Sequence, residues 1–293
     1  MPDTLPKSTI TSFDLQNQVA VVTGGSGFLC SAMAKCLAAH GAKVAVLARH
    51  AETLAPVVNE IQAAGGTARA VVCDVLDVAS CAAAVADVTQ ALGPADILIN
   101  GAGGNNPKGT TAKEAIDPAD FAPGAAKTDL KTFFDLPFDG IQSVFNLNFL
   151  GTLLPTQAFG RAMVERKRGT IVNVSSMAGL RPLTKIAAYS AAKAAVINFT
   201  QWLSVHFAPA GVRVNALAPG FFLADQNRFL LIDEKSGQLT PRGKKIIDHT
   251  PMGRFGEADD LLGAVLFLAS PMSQFVTGAV LPIDGGFAAY SGV

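Results

Sequence analysis

The chemistry this chain could do is concentrated in "SSMAGLRPLTKIAAYSAAK", where Tyr189 follows Ser176 by 13 residues and Lys193 follows Tyr189 by four. Side chains four apart share a helix face, so an Ala-rich helix here sets the phenol beside the ammonium. A phenol with a pKa of about 10 is a weak acid–base group at neutral pH, but an adjacent ammonium stabilises the phenolate and pulls that pKa down. Ser176 can hold a substrate oxygen. The trio suits proton transfer to or from the oxygen of a ketone or alcohol. The same Tyr–Lys spacing also decorates ordinary helix surfaces, so the pair needs support from the rest of the chain.

A second stretch, "TGGSGFLC", covers Thr23, Gly24, Gly25, Ser26, Gly27, Phe28, Leu29 and Cys30. A loop that grips a dinucleotide needs a turn with positive φ, a spot with no side chain against the pyrophosphate, and a small residue where helix meets strand. Gly24, Gly25 and Gly27 meet the first two needs, and Gly25-x-Gly27-x-x-Cys30 puts a small residue in the third place. Free amides at the start of the following helix would bind phosphates whatever the side chains, and Phe28 is expected to point away into the core. A glycine-rich turn without ligand is the plain alternative; the flanking strand, helix and second strand weigh against it. That second strand ends "LARH", with Ala48 where a carboxylate would bind the ribose hydroxyls of NAD and Arg49 beside it. An Arg fork can pair with a 2′-phosphate that a carboxylate would repel, so NADP(H) is preferred, with NAD(H) the other option and a solvated Arg the ordinary one. Asp74, beside Val75, could meet the adenine amino group or cap the next helix.

These groups must be positioned by elements that the pattern also announces. From Val19 on, short β-branched runs alternate with Ala-rich helical stretches, the sequence form of βαβ units on a parallel sheet. Strands are expected at 19–23, 43–48, 68–75, 96–100, 169–176, 212–219 and 279–285. The fold class is α/β: one doubly wound, seven-stranded parallel sheet with helices on both faces, spanning 14–293 behind a loose leader at 1–13. Two segments break the rhythm, at about 104–140 and 221–253, and read as specificity loops rather than domains. Lys plus Arg balances Asp plus Glu at 23 each, so no net field favours nucleic acid or a membrane surface. The four cysteines follow no metal-ligand spacing, no metal is expected, and no apolar run reaches a membrane span. A cytoplasmic protein acting on a small molecule is the expectation.

With "CDV" at 73–75, "NGAG" at 100–103, "NLNFLG" at 146–151, "IVNVSS" at 171–176, "RVNALAPG" at 213–220 and "VLPIDGG" at 280–286, the chain resembles the short-chain dehydrogenases/reductases from about Asp14 to its end. The resemblance implies a Rossmann-type domain and NAD(P)-dependent interconversion of a ketone and a secondary alcohol. It implies a tetrad of Asn148, Ser176, Tyr189 and Lys193: Tyr189 as general acid–base, Ser176 polarising the carbonyl, Lys193 binding the nicotinamide ribose, Asn148 holding a relay water. The cofactor would also meet Asn100, Gly101, Ala102, Gly103, Pro219, Gly220 and Phe222. Departures are Cys30 for a glycine, Gly101 for an asparagine, expected to loosen its turn, and Ala224 for a threonine that hydrogen-bonds the cofactor amide.

The loops "GGNNPK", "TFFDLPFDG" and "APGFFLADQNR" are similar to the branch described as D-mannonate oxidoreductases, or fructuronate reductases. A sugar acid needs a cation for its carboxylate and amides for its hydroxyls. Arg228 is the first choice of cation, with Lys185 and Lys108 in reserve, and Asn105, Asn106, Gln226 and Asn227 supply amides; each also has an ordinary surface or capping role. The alternatives are a 3-oxoacyl thioester, a steroid or a neutral sugar, which "FFL" at 221–223 favours where the substrate is greasy, and a non-catalytic dinucleotide sensor. Val196, Phe199, Trp202 and Leu203 are expected to give the Tyr–Lys helix an outer apolar face, and the resemblance implies a homotetramer, or failing that a dimer.

Overall fold

Seven parallel strands form in the expected places: β1 (Val19–Thr23), β2 (Lys43–Ala48), β3 (Thr67–Val72), β4 (Ile97–Asn100), β5 (Gly169–Val174), β6 (Val212–Pro219) and β7 (Val280–Ile283). They lie in the order β3-β2-β1-β4-β5-β6-β7. A computed structural model describes residues 13–122 and 131–292; the side chains of 225–227 and nearly all of the expected leader lie outside the described residues.

Alternation explains the layers. Ala20 and Val22 of β1 face one buried cluster with residues of α1 (Phe28–Ala39), α2 (Ala51–Ala63) and α9 (Leu262–Ala269). Val19 and Val21 face a second cluster with residues of α3 (Val78–Ala91), α5 (Gly151–Glu165) and α6 (Ala187–Phe207). Strands buried on both faces read as continuous apolar runs, which is why the sequence shows them so plainly. Chain order reverses between β1 and β4, the switch point where open α/β sheets carry ligands beyond their carboxyl ends.

Three expected strands stop early. The β5 ladder ends at Val174, so Ser176 stands clear of the sheet and caps a short 3-10 turn, Met177–Gly179, by accepting from the Ala178 amide. Residues 73–75 and 284–285 likewise leave their ladders for turns at the same rim.

A polar seam crosses the second core. Asn100 Nδ2 donates to Thr156 Oγ1 (2.8 Å) and Asn173 Oδ1 (2.9 Å), and Asn173 Nδ2 donates to Thr200 Oγ1 (2.9 Å). It fastens β4 and β5 to α5 and α6. Val196 and Leu203 of α6 are buried in the core, contrary to their expected outward position; the outer face carries Trp202 and Val205, with Phe199 half-buried. The 21-residue helix is wrapped on more than one side, so apolar residues alone did not identify its free face.

The long segments have their own structure. The described part of the first holds three short 3-10 turns and leads into α4 (Phe138–Phe145). The second carries α7 (Asp225–Leu231) and α8 (Pro241–Asp248). Among the described residues no helix is long and apolar enough to cross a membrane, and no His/Cys/Asp/Glu group could hold a metal ion.

Candidate active site

The four tetrad candidates converge at the rim beside β5. Tyr189 lies in the first turn of α6 and Lys193 one turn on, its Nζ 5.7 Å from the phenol ring centroid. Lys193 is buried, and Nζ donates to the Val174 carbonyl (2.8 Å) just inside the end of β5. Burial lowers its pKa to about 8, partly opposed by the nearby Cys30 thiol. Burial also raises the pKa of Tyr189, and the Ser176 hydroxyl, within hydrogen-bonding reach, opposes the rise. The expected lowering of the phenol is therefore reversed here: desolvation of the phenolate outweighs the hydrogen bond from Ser176. The phenol holds its proton.

Asn148 sits in a π-helical turn, Asn146–Leu150, between α4 and α5. The widened turn leaves the Val144 carbonyl to the Asn148 side chain, whose Nδ2 donates to it (2.8 Å) and to the Gly104 carbonyl (2.7 Å). Its Oδ1 accepts from the Gly104 amide (3.1 Å). A Cβ at Gly103 would stand 2.7 Å from Asn148 Oδ1 and 3.1 Å from Lys193 Nζ, so glycine lets these two side chains approach each other.

The glycine loop fits a dinucleotide. Gly24 takes φ +64°, and a Cβ there would meet the Ala102 backbone at 2.9 Å. Gly25 donates its amide to the Leu47 carbonyl, and a Cβ would strike Val46 at 2.5 Å, so this glycine seats loop against sheet. Gly27 caps α1 without any side-chain cap bond, which leaves the first-turn amides of Phe28, Leu29 and Cys30 for an anion. Phe28 does not enter the core; it is exposed, because the buried stripe of α1 runs through Cys30, Met33, Ala34, Leu37 and Ala38. Ser26 is half-exposed beside it.

Two departures from the family pattern prove to be one exchange. A Cβ on Gly101 would lie 2.2 Å from the Cys30 sulfur, and that thiol reaches toward the Gly101 carbonyl (3.6 Å). Gly101 takes no left-handed backbone. Its missing side chain makes room for sulfur, rather than loosening the turn, which Thr23 Oγ1 holds by accepting from the Gly101 (3.0 Å) and Ala102 (3.2 Å) amides. Asn100 does not offer its side chain to the rim; it belongs to the seam. Asp74 Oδ1 accepts from the Leu76 amide (2.9 Å), while Asp77 caps α3, so the capping alternative for Asp74 falls away. Val75 is buried against Gly151. Phe222 is buried against Gly256, and Gly220 abuts Asp284, so this end of the rim can offer a ligand its backbone.

The expected substrate residues divide. Asn105 Nδ2 donates to Thr110 Oγ1 (3.0 Å), Asn106 Nδ2 to Ser143 Oγ (3.1 Å), and Lys108 pairs with Asp139 (3.0 Å), all within the first segment and α4. Asn105 and Asn106 also line a cleft of about 460 Å³ with Arg49, Leu76 and Gln142. Arg49 directly follows β2, which lies three strands from β5, roughly 14 Å at the usual strand spacing. Gly104, which the Asn148 side chain holds through two hydrogen bonds, also lines that cleft, so it extends from Arg49 to the edge of the tetrad. Lys185 has φ +71°, and its carbonyl accepts from the Thr111 amide (3.0 Å). Arg228 is exposed on α7 beside Gln226 and Asn227, whose side chains lie outside the described residues. An ion pair the sequence gave no sign of, Lys245 to Glu114 (2.5 Å), joins the two long segments. No periodicity or motif links residues 131 apart.

The short chain dehydrogenase family model matches residues 18–234. An uncharacterised oxidoreductase of Bacillus subtilis (strain 168) is 51% identical over 281 residues, 96% of this chain and 98% of that one. A candidate D-mannonate oxidoreductase from Haemophilus influenza, solved with bound NAD, superposes with a TM-score of 0.89 at 49% identity, covering 96% of this chain and 98% of that one. A gluconate 5-dehydrogenase from Burkholderia cenocepacia J2315, in complex with NADP and tartrate, superposes with a TM-score of 0.78 at 30% identity, covering 94% and 97%.

Proposed function

The chain belongs to the short-chain dehydrogenase family, and from that premise we propose that it interconverts a keto-acid and a hydroxy-acid of the sugar series, D-fructuronate and D-mannonate, by hydride transfer with NADP(H) preferred. The observation that carries the chemistry is the gathering of Ser176, Tyr189, Lys193 and Asn148 at one rim beside the glycine cradle. A nicotinamide cofactor supplies or accepts the hydride when bound. Ser176 holds the carbonyl oxygen. Tyr189, kept protonated by burial, gives its proton to that oxygen as reduction proceeds. Lys193, anchored on the Val174 carbonyl, keeps a cation beside the phenol and offers Nζ to the cofactor ribose. Asn148 orders Gly104 and the turn that flanks Lys193.

For the cofactor, Arg49 is exposed at the end of β2 without an ion-pair partner among the described residues, a position suited to a 2′-phosphate. For the substrate, the resemblance of the loops and the cations over the rim support an anionic sugar. Phe222 is buried and Phe221 packs on Phe287 (5.3 Å between centroids), and both line a cleft of about 370 Å³ with Pro282 and Ile283, so the thioester arm of the assay below tests the greasy alternative. Trp202 and Val205, exposed on α6, support self-association as a homotetramer, which light scattering would measure. Free cysteines fit a cytoplasmic setting. The test of function is reduced-cofactor oxidation with keto-uronates, neutral ketoses of equal length and acetoacetyl thioesters. A wild-type enzyme that reduces the neutral ketose as well as the keto-acid would sink the sugar-acid assignment.

A further inference from the structure

Where the two long segments meet ahead of α6, one exposed carboxylate pairs with a lysine and feels two further cations. Glu114, from the first segment, pairs with Lys245 of α8 at 2.5 Å. Lys185, four residues before Tyr189, and Arg242, on the first turn of α8, lie close enough to hold the Glu114 carboxyl further below its usual range. Neither Lys185 nor Arg242 makes an ion pair with a described residue; Lys245 alone touches Glu114, and the other two cations add to the field around it. The Thr111 amide donates to the Lys185 carbonyl, which seats the first segment on this spot, and Lys185 is held in a left-handed backbone that non-glycine residues seldom adopt. Such a conformation persists only where its surroundings enforce it, so the position of Lys185 is built rather than incidental.

From this arrangement we infer that Glu114 is an internal stand-in for the substrate's carboxylate: the acid group of the keto-acid displaces it and is received by Lys185 and Lys245, with Arg242 adding to the field. This rests on the sugar-acid reading above and assigns its carboxylate to these residues in place of Arg228. Lys185 lies four residues before Tyr189, which keeps its backbone within about 14 Å of the proton donor's, a span that a six-carbon keto-acid and a lysine side chain together can bridge. The Glu114–Lys245 pair is suited to exchange. Its side chains are 45% and 58% exposed, and exposed ion pairs are weak because water and salt screen them and two long side chains must be ordered. A rigid ligand carboxylate bridging two lysines competes well against one flexible glutamate.

The experiment is the ratio of kcat/KM for the keto-acid to that for a neutral ketose of the same length, with a cofactor fluorescence titration to confirm that each variant is folded. Glu114→Gln, which removes the competitor and keeps the shape, raises the ratio about two- to fivefold. Lys185→Gln and Lys245→Gln each lower it roughly tenfold or more, chiefly through KM for the keto-acid. Arg228→Ala leaves the ratio near that of wild type. If wild type prefers the keto-acid but Glu114→Gln leaves the ratio unchanged or lowers it, Glu114 is only a clasp between loops and the inference is wrong. If Arg228→Ala alone collapses the ratio, the carboxylate belongs to Arg228 and the inference is again wrong. A wild type without preference removes the sugar-acid reading itself, and this inference with it.

Discussion

The rim of the sheet and the two segments above it are built from different forces. At the rim, positions are fixed by backbone and burial: Gly24 has φ +64°, Gly25 admits no Cβ beside Val46, and Lys193 is buried on the Val174 carbonyl. In the segments, exposed ion pairs such as Lys108 to Asp139 and Lys245 to Glu114 join residues distant in sequence, beside loop bonds such as the Thr111 amide to the Lys185 carbonyl. Steric exclusion and burial act at full strength whatever the salt; exposed pairs are worth about 0–1 kcal/mol and can rearrange. The rim therefore fixes the chemistry while the segments are free to choose the substrate.

The sharpest way to break this contrast is at the rim's reacting group. Tyr189→Phe should lower turnover at least about 10²–10⁴-fold, the usual worth of general acid–base catalysis, with cofactor affinity kept in a fluorescence titration. An active Phe variant would mean the tetrad is only scaffold. Lys193 gives a second test, on stability. Its folded pKa is about 8, below its ordinary 10.5, so between these values the unfolded chain holds more protons and stability rises with pH. Denaturant melts from pH 8 to 10 should show wild type gaining on the order of 2–3 kcal/mol relative to Lys193→Met, from about 1.4 kcal/mol per pH unit. The raised pKa of Tyr189 acts in the opposite sense, but only above its ordinary value of 10.0, outside that window. A flat difference would place the ammonium in water.

Smaller effects sharpen the comparison. Gly101→Ala should lose about 1–3 kcal/mol by overpacking against the Cys30 sulfur, and the Cys30→Ala, Gly101→Ala double variant should regain most of it; additivity in thermal melts would refute the exchange. Arg49→Ala should raise KM for NADPH roughly tenfold more than KM for NADH, the worth of a charge-assisted fork on phosphate. Equal losses for both would return Arg49 to the solvent.

The same contrast governs what the sequence could tell. The five inner strands β2, β1, β4, β5 and β6 and the Ser176, Tyr189, Lys193 grouping were legible because strands buried on both faces carry near-continuous apolar runs and α6 keeps its period of 3.6; the half-exposed edge strands β3 and β7 were legible from their short β-branched runs. The inward placement of Val196 and Leu203 was missed because α6 is covered on several sides, and the outward placement of Phe28 because the buried stripe of α1 runs through Cys30, Met33 and Leu37 instead. The pKa of Tyr189 turned on burial, which one-dimensional spacing does not report. Lys108 had the right chemistry for a sugar acid, yet Asp139, 31 residues on, engaged it, and side-chain pairing at that range leaves no local trace; Asn105 was taken by its near neighbour Thr110, through a loop geometry that the residue types alone do not report.

The seam from Asn100 through Asn173 to Thr200 makes α6 less a packed cylinder than a graduated one. Apolar contacts tolerate sliding by a fraction of a turn, whereas a hydrogen bond near 2.9 Å fixes both spacing and azimuth. Thr200 lies two turns beyond Lys193 on the same helix, so the seam works as a ruler between the sheet and the reacting residues. Neighbouring core residues can then change in volume over evolutionary time while the offset between phenol, ammonium and strand end stays constant.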